Sequence, residues 1–421
     1  MGSQKAYDGM TEGWNDGMVT TRWAIIGLVL SVLPSFRRCT AQAAPDSYRT
    51  RALAILKTVP LVDGHNDIAD AIRERGGLDS VNFAVNQPKL MTDIPRLRSG
   101  AVGGQFWAAY VPVTTMDSGP HPAVYALEQI ELIHRLCARY RNVLAMATTA
   151  AEVERNFAAK KISCLIGIEG GHAIENSLGA LRMFSRLGVR YMTLTHWRSL
   201  DWAVASTDSS HRGLSDFGNQ VVLEMNRVGM LIDLSHVNDM TMSDAIHTSK
   251  APVIFSHSSA RALTNHARDV PDSILRLIPA NGGVVMVNFN PGFVSEAVRV
   301  YGDSIADWAR RLRAAGADSV TRADSMRAWE SRAPHATLEQ VDDHIDHIRQ
   351  IAGVDHVGIG SDFDGITEVP NRLEDVSKFP DLIAELLRRG WTEADVKKVA
   401  GLNILRVMRD AERVATELRG R

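Results

Sequence analysis

From residue 45 onward, eight short apolar runs punctuate the chain, and amphipathic stretches separate most of them. The runs are Leu61–Gly64, Gln105–Val111, Cys164–Glu169, Tyr191–Thr195, Leu231–Ser235, Val253–Ser256, Val284–Asn288 and Val357–Gly360. They are nearly continuous in their hydrophobicity rather than alternating, as parallel strands covered on both faces require. Among the intervening segments, Ala126–Tyr140, Phe217–Val228, Asp272–Ile278 and Leu338–Ile351 carry apolar residues at helical spacing. Thr337 and Gln340 stand three apart, the spacing of a capping box. Pro380–Arg389 and Glu393–Leu418 are expected to close the chain as helices. This alternation predicts an α/β fold, a (β/α)8 barrel of the TIM type, with a doubly wound open sheet as the competing architecture.

One segment breaks the rhythm. Residues 291–334 form an insertion after the seventh strand, rich in Arg, Ala and Asp, with helical pieces expected at Asp307–Ala314 and Met326–Trp329. It is expected to lie over the mouth of the barrel, either as a lid or as a solvated decoration. Residues 44–421 are read as one barrel domain that includes it.

The strand ends carry the chemistry. His65 and Asp67 follow the first run, Glu169 ends the third, and His196, His236 and His257 follow the fourth, fifth and sixth. Asp362 follows the eighth. In a barrel these ends share one face, where active sites lie. Any one of these residues alone would more often be a packed or capping side chain; their recurrence points to a site. Imidazole and carboxylate without thiolate suit zinc and similar divalent metals. Two His from neighbouring strands, a separate His-x-Asp and one Glu between them suggest two ions per chain, with Glu169 shared between them. Two such ions can activate one water and polarise a carbonyl, which implies hydrolysis. His344 and His347, three apart on a helix, are expected on an outer face without a metal role, and His172 as a loop hydrogen-bonder. Asp362-Phe363-Asp364-Gly365 resembles part of a calcium loop, but Leu373 stands where the bidentate Glu is needed.

Composition narrows the class. The 421 residues are 45% hydrophobic with a net charge of −2 from intermixed charges, so no nucleic-acid surface is indicated. There is no C-x-x-C pair among Cys39, Cys137 and Cys164, which disfavours thiolate zinc; Cys137 and Cys164 are left to pair or to stay reduced. Residues 1–43 read as a signal peptide: the apolar run Trp23–Leu33 is too short to span a bilayer, and Ala41-Gln42-Ala43 offers a cleavage site. The acidic start before Met18 is atypical and leaves Met18 as an alternative start, and Arg37-Arg38 keeps an uncleaved N-terminal membrane anchor as the alternative to a secreted or periplasmic protein.

The segments "VDGHNDIA", "CLIGIEGGHAIENSLGALR", "RYMTLTHW", "MNRVGMLIDLSHV", "APVIFSHSSARAL", "RDVPD" and "HVGIGSDFDG" resemble those of the membrane dipeptidases. The resemblance covers the chain after residue 45. It implies a two-zinc barrel enzyme that hydrolyses dipeptides, accepts some with a D residue at the second position, and in some members opens β-lactams. Motif by motif, it implies one zinc at His65 and Asp67, another at His236 and His257, and Glu169 bridging. It further implies His196 and Arg268 as substrate-binding residues, the latter for the carboxylate, and Asp362 as the catalytic acid. A structural ion pair of Arg268 with Asp269 or Asp272 is the competing reading. The charged ending Glu417-Leu418-Arg419-Gly420-Arg421 gives no expectation of a GPI anchor. The partners expected are small dipeptides and, in a homodimer, a second copy of the chain. Other metal-dependent amidohydrolases, such as a deaminase or cyclic-amide hydrolase, and a non-enzymatic zinc-binding protein are the alternatives.

Overall fold

The computed structural model describes residues 46–316, 329 and 332–420. The expected signal segment and most of Met326–Trp329 lie outside the described residues. The strands are β1 Leu61–Asn66, β2 Val102–Tyr110, β3 Leu144–Met146, β4 Ile162–Glu169, β5 Val189–Thr193, β6 Leu231–Asp233, β7 Ile254–Phe255, β8 Val284–Val287 and β9 Val357–Ile359. Every pairing between them is parallel. β1 joins β9, and β2 joins β4 from Gly104↔Ser163 to Tyr110↔Glu169, so eight strands close into a barrel. The ninth, β3, is the departure from expectation. It pairs only with Ile162–Cys164 of β4, and three residues are too few to declare a period in sequence.

Two packed layers follow from the strand pleat. Along β8, Val284 and Met286 point into the barrel with Val62, Leu165, Tyr191 and Ile254, while Val285 and Val287 face the surrounding helices. The inner cluster continues onto Ile404, Leu405, Met408 and Ala411 of the last helix, which packs against the strand starts and leaves the strand ends open. That last stretch is helical throughout, as its periodicity suggested, with one irregularity. Glu393–Lys397 and Asn403–Arg419 are joined by a π-helical turn at Lys398–Leu402, where Gly401 passes so close to the Pro60 carbonyl that a Cβ would sit 2.1 Å from it. The expected helix at Asp272–Ile278 is two pieces, Asp272–Leu275 and Ile278–Asn281, the second with Pro279 in its first turn. Thr337 and Gln340 do form the capping box. In the insertion, the helix starts earlier than expected and runs over Glu296–Ala314.

Candidate metal centre

The site grows out of the strand ends because a parallel barrel delivers them all to one rim. β1 carries His65 to that rim, and Asp67 follows at the N-cap of the helix Ile68–Glu74, where its side chain makes no capping hydrogen bond and turns inward instead. His65 Nε2 lies 3.1 Å from Asp67 Oδ2 and 3.7 Å from Glu169 Oε2. The other carboxylate oxygen of Glu169, Oε1, lies 2.9 Å from His236 Nε2, 3.4 Å from His257 Nε2 and 3.5 Å from His196 Nε2. His236 and His257 approach each other, Nε2 to Nε2, at 3.0 Å. All these side chains are buried. Glu169 thus faces one donor set with each oxygen.

Strain marks the same rim. His236, Asp362 and Asp364 adopt left-handed backbone conformations, with φ of 70°, 67° and 65°, which non-glycine residues hold only where surroundings over-determine them. For His236 the surroundings are visible: its carbonyl accepts hydrogen bonds from Ser206 N (2.7 Å) and Thr195 Oγ1 (3.1 Å). For Asp362, the backbone N–H donates to the His65 carbonyl (3.1 Å), and Oδ2 accepts from Asn288 Nδ2 (2.9 Å). Gly365, two residues beyond Phe363, packs where a Cβ would meet Asp67 Oδ2 at 2.2 Å and Asp362 Oδ1 at 2.7 Å.

Electrostatics follow from burial. Desolvation holds His196, His236 and His257 well below the ordinary imidazole range, and the charge of Arg268 pushes the same way. Burial also acts to lower His65, but Asp67 and Glu169 overcome it and raise it to about 10. Burial pushes Glu169 well above the usual carboxylate range, opposed by His65, and raises Asp362 to about 7. Glu169 with His236 and His257, and Glu169 with His65 and Asp67, are each three donors within 4.8 Å of one another. His236 and His257, held neutral by burial, and His65, Asp67 and Glu169 crowded this closely against them fit the donor set of a divalent cation.

Arg268 is buried against the same cleft, between the rings of Trp197 and Phe293, with its guanidinium carbon 5.7 and 5.4 Å from their centroids. It donates from Nη1 to Ser258 Oγ and from Nη2 to the His257 carbonyl, both at 3.1 Å, and Nε has no partner. Among the described residues Arg268 forms no ion pair with Asp269 or Asp272. The latter pairs with His347 instead. The cleft of about 520 Å³ is lined by Asp67, Glu169, His196, His236, His257, Arg268 and Asp362, and the insertion helix walls it with Val298, Gly302 and Ala306.

Two further histidines lie outside the site. His344 was expected on an outer face but is buried: Nδ1 accepts from Ala260 N at 2.9 Å, and Nε2 faces the Val294 carbonyl at 3.3 Å. A helix face that packs under a neighbouring loop carries the same spacing as a solvated one. His172 is buried, and desolvation lowers it to about 4. Sequence reasoning missed Asp233, Ser256, Tyr191 and Asn288, which support the site from behind. A lone charge inside the apolar run Leu231–Leu234 was the available signal for Asp233.

A closed parallel barrel with buried imidazoles and carboxylates gathered at its strand ends defines a metal-dependent hydrolase. Residues 49–421 match the family model described as Membrane dipeptidase (Peptidase family M19), and the chain belongs to that family of metallopeptidases. Dipeptidase 3 of Rattus norvegicus is 41% identical over 375 residues, covering 87% of this chain and 68% of that protein. Dipeptidase 3 of Macaca fascicularis is 42% identical over 380 residues, covering 88% and 69%. Among solved structures, a metallo peptidase from Rhodobacter sphaeroides, liganded with a phosphinate mimic of the dipeptide L-Ala-D-Ala, aligns with a TM-score of 0.68 at 27% identity, covering 84% of this chain and 99% of that one. The protein is an enzyme that hydrolyses peptide bonds, and the non-enzymatic alternative is set aside.

Proposed function

We propose that this chain is a two-zinc dipeptidase in which His65 and Asp67 hold one ion, His236 and His257 hold the other, and Glu169 bridges them. The observation that carries this reading is the division of Glu169, with Oε1 toward the His236–His257 pair and Oε2 toward His65. Bound there, the ions would supply Lewis acidity toward the scissile carbonyl and a field that makes water more acidic. The chain's own residues do the rest. Arg268 holds the substrate's terminal carboxylate, and His196, kept neutral by burial, offers an N–H to the substrate. Asp362, raised to about 7 by burial, takes a proton from the attacking water and delivers it to the leaving amine nitrogen as the C–N bond breaks. Asn288 occupies Oδ2, so Oδ1 is the atom that carries the proton.

Dipeptides with a D residue at the second position, and β-lactams, fall within the proposed range; the L-Ala-D-Ala mimic bound to the Rhodobacter relative supports the first. We also read the protein as exported after cleavage before Ala44. The Cys137–Cys164 disulfide supports an oxidising compartment, and no helix among the described residues is long and apolar enough to cross a membrane. The test is a panel of L,L- and L,D-dipeptides, their C-terminal amides, tripeptides and a β-lactam, run on wild type and Asp362→Asn. Release of free amino acids, lost by roughly 10²–10⁴-fold in a variant that keeps its metal, is expected. Release of ammonia, or no preference for dipeptides, would overturn the assignment.

A further inference from the structure

The cleft has a second charged pole. In the helix Ile68–Glu74, Ile68, Ala69 and Ile72 belong to the core, whereas Asp67, Asp70, Ala71 and Glu74, at the spacing of one helix face, line the cleft. Two side chains of the helix Pro122–Arg139 hold Asp70 by one oxygen: Oδ1 accepts from Gln129 Nε2 (2.8 Å) and from the Tyr125 hydroxyl (3.2 Å). Oδ2 has no hydrogen-bond partner among the described residues and is the oxygen left for the cleft. Neither Asp70 nor Glu74 is matched by a cation of the protein. On their own helix, Arg73 lies over the Tyr125 ring, 3.9 Å from its centroid, and pairs with Glu128 at 2.6 Å, while Arg75 donates to the carbonyls of Ala71 and Lys89. On the facing wall, Arg299 is held between Glu296 (2.8 Å) and Asp303 (2.7 Å) of the insertion helix.

This negative pole stands across the rim from Arg268. The barrel strands follow one another in the order β2-β1-β9-β8-β7-β6-β5-β4, closed between β4 and β2. Arg268 comes after β7, and Asp70 comes after β1 and is tied to the helix that follows β2, so the two lie on opposite sides of an eight-stranded ring. With the substrate's terminal carboxylate on Arg268 and its scissile carbonyl beside Glu169, the amino-terminal residue extends toward Asp70. Its α-ammonium stays next to the scissile carbonyl. Asp70 is three residues further along the helix than Asp67, about 4.5 Å of rise, so the group that reaches it is the end of a long side chain. We propose that Asp70, seconded by Glu74, selects dipeptides whose first residue is lysine or arginine. This rests on the dipeptidase reading above and deepens it, because the ligand is the substrate already assigned to this cleft. Oδ2 of Asp70 accepts a charge-assisted hydrogen bond from the ammonium or guanidinium, and Ala71 and Ile366 offer apolar surface to the aliphatic stem.

The experiment measures kcat/KM for lysyl-alanine, arginyl-alanine and norleucyl-alanine, each with L- and D-alanine, by release of free alanine from zinc-loaded wild type, Asp70→Asn and Glu74→Gln. Norleucine keeps the length of the lysine stem and lacks the charge. Burial raises the Asp70 carboxyl to about 6, so the assay is run at pH 8, where it is ionised. Asp70→Asn keeps an oxygen for Tyr125 and Gln129 and removes the charge. The ratio of lysyl to norleucyl substrate, taken within each protein, cancels any general effect on the reaction. Wild type should favour the lysyl dipeptide by about 10–100-fold, and Asp70→Asn should bring the ratio to within about threefold of one. Glu74→Gln, at an exposed position, should lower it by about 2–5-fold. Equal wild-type rates on the lysyl and norleucyl dipeptides, or a preference that survives Asp70→Asn, would overturn the selection. Should Asp70→Asn fail to fold, Glu74→Gln decides: a lowered ratio supports the acidic pole and an unchanged one overturns it. A wild-type enzyme that releases alanine from none of these dipeptides would overturn the dipeptidase reading itself, a result distinct from turnover without a preference for charge.

Discussion

Replacing Arg268 by alanine isolates the interaction that should make this enzyme specific for dipeptides. A guanidinium has five N–H groups; here two are spent on Ser258 Oγ and the His257 carbonyl, leaving three, one of them on the unpartnered Nε. A carboxylate can take two of these in parallel, and charge-assisted hydrogen bonds contribute about 1.5–3 kcal/mol each. Their joint loss, about 3–6 kcal/mol, is roughly 10²–10⁴-fold at tenfold per 1.4 kcal/mol. Because Arg268 also braces the His257 carbonyl, the absolute rate of the variant mixes recognition with positioning. The ratio of kcat/KM for a dipeptide to that for its C-terminal amide, measured within each protein, separates them. Wild type should favour the acid by about 10² or more; Arg268→Ala should bring the ratio close to one; Arg268→Lys should restore it only in part, since an ammonium keeps the charge and loses the fork. Equal rates on acid and amide in the wild type would refute the reasoning.

Glu169→Gln should lower zinc content at both sites, whereas His65→Ala should mainly empty one; elemental analysis distinguishes the two patterns. Gly365→Ala forces a methyl into the space 2.2 Å from Asp67 Oδ2 and 2.7 Å from Asp362 Oδ1, so kcat should fall on the order of 10²-fold, and a rate within twofold of wild type would count against the observed packing. His344 makes a pH prediction away from the metals. Burial lowers it to about 4, and its Nδ1 accepts a backbone N–H, so protonation breaks that bond. A histidine depressed in the folded state gives stability that is full above its unfolded value near 6.5 and is lost as pH falls toward 4. The loss is about 3 kcal/mol, and urea unfolding at pH 7 and pH 4.5 should show it in wild type and much less of it in His344→Gln.

What the sequence determined by itself was the alternation of strands and helices and the recurrence of His, Asp and Glu at strand ends. Both are local: a buried parallel strand needs a continuous apolar run, and a barrel sends all its strand ends to one rim whatever its other details. Hence the eight barrel strands and the convergence of His65, Asp67, Glu169, His196, His236, His257 and Asp362 were legible. The tertiary structure decided how high and at what rotation each side chain arrives, because strand stagger rather than residue order sets which atoms meet. Only there does Cys137 find Cys164, does Arg268 prove free of Asp269 and Asp272, and does His344 turn out to be buried. The support beneath the rim shows the limit most clearly. Asp233 ends β6 and Ser256 follows β7, and nothing local to either states that the serine hydroxyl joins that buried carboxylate to His257.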